Sequence, residues 1–224
     1  MNKSIILLSG GLDSAVALGA YKNKYNIEFS LTFDYGQKTA KAEIEASKNF
    51  AKHYNIKHEV IELDWLKKIT KTALVSDKEI PVENLGTENS AKMVWIPNRN
   101  GLFLNIAASY ADVFSYDYII FGANKDEGNT FPDNTETFRA DITKVFESST
   151  LTKPKVAAPL INCSKSDIVK IAIQNHVPLE YVRSCYKSND EHCGKCESCR
   201  YLKDALTENN AKDYIKLLFG NNEN

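Results

Sequence analysis

Apolar positions first gather in a short unbroken run, Ile5-Ile6-Leu7-Leu8, that halts at Ser9-Gly10-Gly11. Such a run ended by a turn predicts a strand over residues 4–8, buried on both faces. Residues 13–22 then carry Ala, Val and Leu at helical spacing. A second strand is expected over 27–33, a long amphipathic helix over 38–54 and a third strand over 57–63. Period is lost over 76–98, where Pro, Asn, Gly and Ser collect, which predicts a long irregular loop of the kind that serves active sites. An apolar helix follows over 100–114, a strand over 116–122 and a polar stretch over 123–135. A last strand is expected over 156–158 and a helix over 164–174. Beyond residue 182 come cysteines, lysines and two short helices. Strands separated by helices of this length imply right-handed crossovers and a parallel sheet, an α/β fold with helices on both faces. The change of character divides the chain into residues 1–180 and a small C-terminal region, 181–224.

Composition narrows the function more than the fold. A chain of 224 residues buries about 70% of its unfolded surface, so it needs no disulfides to fold. Basic and acidic residues number 28 and 29, a balance that gives no overall pull toward a polyanion and argues against a dedicated nucleic-acid binder. No stretch reaches the roughly 18 apolar residues of a membrane span, and the N-terminal apolar run is too short for a secretory signal. The expectation is a cytoplasmic protein without membrane or nucleic-acid partners. In a reducing compartment, four cysteines between Cys185 and Cys199 point to metal rather than disulfides.

Ser9-Gly10-Gly11-Leu12-Asp13-Ser14 sits between the first strand and its helix. Two glycines let the backbone turn sharply and present N–H groups, the helix start adds partial positive charge, and two hydroxyls add donors. The plain alternative is a strand-to-helix turn in which Ser9 or Asp13 caps the helix. No Gly-Lys-[Ser/Thr] follows and no GxGxxG is present, which excludes a Walker A loop and a dinucleotide fingerprint. The string resembles the PP-loop of the ATP pyrophosphatase superfamily, whose fold is adenine nucleotide alpha hydrolase-like. That resemblance implies ATP cleaved between its α and β phosphates, with Leu8 through Ser14 as the cradle.

Cys185, Cys193, Cys196 and Cys199 offer four thiolates within fifteen residues, enough to close a tetrahedral Zn²⁺ site with no position left for water. A [4Fe–4S] cluster is the competing occupant. His192 reads as a solvated neighbour and Cys163 as a small packed residue. Asp34 and Gln37, after the second strand, are candidates for the adenosine half of ATP or members of a polar turn. Arg99, at the entrance of the apolar helix, can clamp phosphate or carboxylate, or can be a surface residue. Lys165 opens a helix on which Ser164 and Asp167 look like a capping pair, and it can reach a phosphate. Phe131 can stack on a flat heterocycle while Asp133 accepts from ring N–H groups; a Pro-Asp turn is the alternative.

In order, the segments SGGLDS, FDYGQK, WIPNRN, FGANKDEGNTFPDN, PLINCSKSDI and SCY…HCGKCESC resemble the QueC family of 7-cyano-7-deazaguanine synthases, from Leu8 to about Leu206. The resemblance implies a ligase that joins 7-carboxy-7-deazaguanine and ammonia with ATP, through an adenylated acid and an adenylated amide. It further implies Asp13, Ser14, Arg99 and Lys165 at the chemistry, with Mg²⁺ on the phosphates. Phe131, Asp133, Arg99 and Glu136 would face the base, the four cysteines would hold Zn²⁺, and the enzyme would be a homodimer. The family's frequent Tyr-Pro-Asp-Cys-Arg is here Phe131-Pro132-Asp133-Asn134-Thr135. Two other readings remain: a different PP-loop enzyme, such as a tRNA thiolase or tRNA-lysidine ligase, and a zinc-ribbon binding module.

Overall fold

The computed structural model describes residues 2–187 and 191–220. Five parallel strands, β1 (Ser4–Leu7), β2 (Ile27–Asp34), β3 (Lys57–Glu62), β4 (Tyr118–Ile120) and β5 (Lys155–Ala157), form one sheet in the order β3-β2-β1-β4-β5. Every residue of β1 is buried, as a central parallel strand covered on both faces requires. Around the sheet lie α1 (Leu12–Tyr25), α2 (Ala40–His53), α3 (Asp64–Ile69), α4 (Glu88–Val94), α5 (Arg99–Phe114) and α6 (Lys125–Gly128). They are followed by α7 (Glu136–Ser149), α8 (Lys165–Gln174), α9 (Glu197–Glu208) and α10 (Lys212–Phe219).

Right-handed crossovers put α1 and α2 on one face and α5 and α7 on the other; α8 packs beside α1, and α9 on α8. The chain leaves β1 toward β2 and later returns past it to β4. The sheet therefore reverses direction between β1 and β4, where a crevice opens beyond the strand ends.

The strands and most helices lie within a few residues of the sequence expectation. The segment 76–98 is less irregular than its composition implies, because Thr87 and Ser90 form a capping box that starts α4. Helix α7 has no counterpart in the sequence expectation, although Phe138, Ile142, Val145 and Phe146 recur at helical spacing; Phe146 is fully buried, and Phe138 and Ile142 pack partly buried against the core. Among the described residues, no helix is long and apolar enough to cross a membrane.

Because Phe146 is the fully buried ring of α7, Phe146→Ala should cost about 3–5 kcal/mol, read as a lowered urea midpoint. An unchanged midpoint would mean that α7 is held by its polar contacts instead.

Candidate functional site

A cavity of about 210 Å³ opens at the strand reversal. Its floor is the turn after β1. Gly10 has φ +76°, and a Cβ there would lie 2.7 Å from the Ala46 Cβ and 2.8 Å from the Glu43 carbonyl, so only glycine lets the loop rest on α2. Gly122, just beyond β4, presses on the same loop: a Cβ would meet the Ser14 nitrogen at 2.7 Å. Between these contacts the loop backbone is fixed before any ligand arrives.

Its donors are open. Ser9 N–H reaches the Ser14 Oγ at 3.2 Å and Gly11 N–H the Ser9 Oγ at 3.3 Å, both long bonds. Among the described residues, the amides of Gly10, Leu12, Asp13 and Ser14 have no acceptor within the protein. Gly11 occupies the cap position of α1 with no side-chain cap, so neither Ser9 nor Asp13 plays the capping role that was the plain alternative. Three of the unmatched amides, at Leu12, Asp13 and Ser14, open a 14-residue helix and line the cavity, which makes an anion cradle.

Over this cradle lies a buried ion triad. Lys165 Nζ donates to Asp13 Oδ2 at 2.6 Å and to Glu127 Oε1 at 2.8 Å. Lys165 is held in place because Ser164 and Asp167 cap α8 reciprocally, while Asp126 Oδ2 accepts its backbone N–H at 2.8 Å. Burial pushes the Asp13 carboxyl up to about 6; Lys165 pulls it down and Glu127 pushes it further up. For Glu127 burial acts in the same upward sense, but Lys165 outweighs it and the carboxyl is held below the ordinary range. The two anions likewise raise the Lys165 ammonium against its burial. Asp13 Oδ1 has no hydrogen bond within range; the Asn124 side chain accepts from Glu127 N–H at 3.0 Å through Oδ1, and its Nδ2 lies beside both carboxylates and lowers each.

Arg99 lies at the first turn of α5 and donates from Nη1 to the Tyr35 hydroxyl at 3.1 Å. Burial alone would lower its pKa, yet Tyr35 and Asp133 raise it, which secures the cation. Gln37 lines the cavity, though as a brace: it accepts from Tyr35 N–H at 3.0 Å and donates to Phe33 O at 3.1 Å and Glu43 Oε2 at 2.9 Å. Burial raises the Glu43 carboxyl, opposed by the Thr39 and Gln37 donors. Asp133 accepts from Asn100 N–H at 3.2 Å and from Asn134 Nδ2 at 3.1 Å, so it ties the start of α5 to the turn that follows Phe131. Leu8, Ser9, Gly11, Leu12, Ser14 and Phe131 also line the cavity.

Three expected positions lie apart from it. Gly10 contacts α2 rather than the cavity. Asp34 closes its own turn by accepting from Gly36 N–H at 2.9 Å, which is the polar-turn alternative. Glu136 is the clearest departure: the short turn Pro132–Asn134 ends at Thr135, which caps α7, and Glu136 then faces out to bind Arg139 at 2.5–2.9 Å. Conversely, Glu127, Glu43, Tyr35, Trp95, Ser184 and Tyr186 line the cavity without having been singled out. Only Glu127 had a sequence signal, as an acid a few residues beyond a strand end in a polar stretch.

The cysteines converge. The Sγ atoms of Cys185, Cys193, Cys196 and Cys199 all lie within 4.8 Å of one another, close to the edges of a tetrahedron around a single ion with about 2.3 Å metal–sulfur bonds. His192 is not solvated. It is fully buried, its Nε2 accepts from Ser184 N–H at 3.2 Å, and its ring lies 5.1 Å from that of Phe219. It therefore ties the metal loop to α10. Cys163 packs against the core as a partly buried residue.

A family model described as "Queuosine biosynthesis protein QueC" matches residues 3–210. The 7-cyano-7-deazaguanine synthase of Methanosarcina barkeri is 43% identical over 222 residues, covering 94% of this chain and 96% of that protein. The synthase of Carboxydothermus hydrogenoformans is 45% identical over 211 residues, covering 92% and 98%. Among solved structures, the U34-tRNA thiolase NcsA from Methanococcus maripaludis with its [4Fe-4S] cluster aligns over 97% of this chain and 69% of its own, with TM-score 0.51 and 16% identity. A 4-thiouridine synthetase–RNA complex with bound ATP aligns over 96% and 52%, with TM-score 0.51 and 20% identity. At those identities the two structures support the PP-loop fold alone.

The triad predicts a pH-dependent cost. Lys165→Met leaves two buried carboxylates without a cation and should destabilise the protein by about 3–5 kcal/mol at pH 8. Without Lys165 the Asp13 carboxyl moves above its value of about 6. A raised acid binds its proton more tightly folded than unfolded, so stability falls as pH rises through that range. Urea unfolding should thus show a smaller loss at pH 5 than at pH 8; equal losses would contradict the triad.

Proposed function

The chain belongs to the QueC family, and on that basis we propose that it converts 7-carboxy-7-deazaguanine and ammonia to 7-cyano-7-deazaguanine at the expense of ATP. A carboxylate on an electron-rich pyrrole is a poor electrophile, and its oxygen a poor leaving group. The observation that carries the reading is the set of unmatched amides at Leu12, Asp13 and Ser14, in one cavity with a half-buried arginine and an aromatic pair. The amides hold the β and γ phosphates of ATP, and a carboxyl oxygen attacks the α phosphorus, expelling diphosphate. Arg99 orients the carboxyl group. Ammonia attacks the acyl carbon, and AMP leaves to give the amide. A second ATP adenylates the amide oxygen; loss of AMP and of the nitrogen's protons leaves the nitrile.

Asp13 and Glu127 fit a Mg²⁺ ion, since Asp13 Oδ1 is a buried acceptor without a partner; such an ion would offset phosphate charge. The four cysteines fit Zn²⁺. Their mutual closeness suits one ion better than a cubane, and four protein ligands leave it a structural role. On this reading residues 1–180 would carry most of the nucleotide chemistry and 181–224 the metal, with Arg183, Ser184, Tyr186 and Ser198 of the second part reaching the cavity. Exposed Val113 (74%), Phe114 (54%) and Leu151 (93%) give an apolar surface that a homodimer would cover, in keeping with a cytoplasmic enzyme of small-molecule substrates.

With ATP, Mg²⁺ and ammonium, pyrophosphate release should require 7-carboxy-7-deazaguanine, with two diphosphates per nitrile formed. Release that needs tRNA and ignores the base would overturn the reading in favour of a tRNA-modifying relative. Cys196→Ser should lose the metal and lower the melting temperature; unchanged metal content would show the ligand set to be wrong.

A further inference from the structure

Trp95 ends α4, and Phe131 precedes the turn Pro132–Asn134, so two separate segments bring their rings to the cavity. The ring planes lie within 6° of parallel and the centroids 5.3 Å apart. Rings in contact are separated by about 3.5 Å along their normal, so this pair is offset by about 4 Å and Phe131 covers only part of the indole. A third ring does not fit between them. It fits on the part of the indole that Phe131 leaves free.

Most other rings lining the cavity are committed. Phe33 and Phe103 stack on each other at 4.0 Å, Phe121 meets Phe138 edge-on, and the Tyr35 hydroxyl accepts from Arg99, which leaves Trp95 and the smaller ring of Tyr186. Trp95 carries the largest ring lining the cavity and is only half-buried. Polar groups stand beside it: Phe131 is two residues from Asp133, whose carboxylate keeps lone pairs beyond its bonds to Asn100 and Asn134. A flat apolar platform edged by fixed acceptors and amides suits a heterocycle with N–H groups on its rim.

We infer that Trp95 determines specificity for a flat bicyclic base, its indole being the platform on which the ring system stacks while Phe131 bounds one side. The inference rests on the proposed function, from which it takes the base to be 7-carboxy-7-deazaguanine. Stacking accepts any flat ring, so the discrimination lies in area: a fused bicycle covers more of the indole than a single ring does. The platform comes from the end of α4, a segment apart from the turn Pro132–Asn134 that carries Asp133.

Fluorescence reads this directly. The chain has two tryptophans, and Trp65 on α3 is 48% exposed and outside the cavity, so Trp65→Phe leaves Trp95 as sole reporter with turnover unchanged. Titrating that variant with 7-carboxy-7-deazaguanine, without ATP, should quench its emission, whereas pyrrole-3-carboxylate at equal concentration should not. Trp95→Leu should raise KM for the base on the order of 10-fold or more, with KM for ATP unchanged, and Trp95→Phe should recover part of that loss. Pyrophosphate release with unquenched emission and an unchanged KM in Trp95→Leu would overturn this inference and leave the proposed function standing. No release with this base under any condition would overturn the functional reading and this inference with it.

Discussion

The rest of the site depends on one buried charge. Lys165 is mostly withdrawn from water, and the two carboxylates that flank it offset the cost of keeping it ionised there. Those carboxylates arrive from distant parts of the chain: Asp13 from the first turn of α1, Glu127 from α6 beyond β4, and the lysine from α8 beyond β5. The triad therefore forms only when β1, β4 and β5 are paired in order, so the site and the sheet assemble together. Asp126 strengthens this link by accepting the lysine's own backbone N–H, which couples the placement of α8 to that of α6.

The metal region extends the same scaffold. Arg183 N–H donates to the Gly10 carbonyl at 2.8 Å, so the strand of chain leading into Cys185 is bonded to the underside of the phosphate loop. Ser184, one residue on, is held by buried His192, which precedes Cys193. The sulfur cluster is thus separated from the loop by two hydrogen bonds and a few residues of backbone. A structural metal at that point would stiffen the cradle as well as the C-terminal helices.

What the amino-acid pattern discloses follows from how each element is stabilised. Strand β1 and helix α5 are legible because their burial is nearly complete, and continuous apolar runs have few alternatives. The phosphate loop is legible because glycines and hydroxyls at a strand end have a local chemical meaning. Helix α7 is less legible, since its stripe of Phe138, Ile142, Val145 and Phe146 is short and follows a polar stretch that reads as loop. Glu127 and Tyr35 belong to the site through side-chain pairs with residues 38 and 64 positions away, which no local spacing encodes. Glu136 shows the converse error: two residues of turn suffice to swing an acid from the cavity to the surface. His192, surrounded in sequence by polar residues, is buried because Phe219 returns to cover it.

The charges around the cavity explain why backbone amides, more than basic side chains, carry the phosphate. Its described lining holds Asp13, Glu43, Glu127 and Asp133 against Arg99, Lys165 and Arg183. Lys165 is shared by two carboxylates, and Arg99 is turned to Tyr35 and the field of Asp133. Arg183 is the exception, because its Nη2 is buried without a hydrogen-bond partner. Attraction for a polyanion therefore comes from that guanidinium and from the open N–H groups at the start of α1, helped by any cation drawn to the free oxygen of Asp13. A cradle of that kind holds diphosphate through directed hydrogen bonds, and its grip weakens once the cation departs. In the proposed reaction, that weakness would let diphosphate leave after each adenylation.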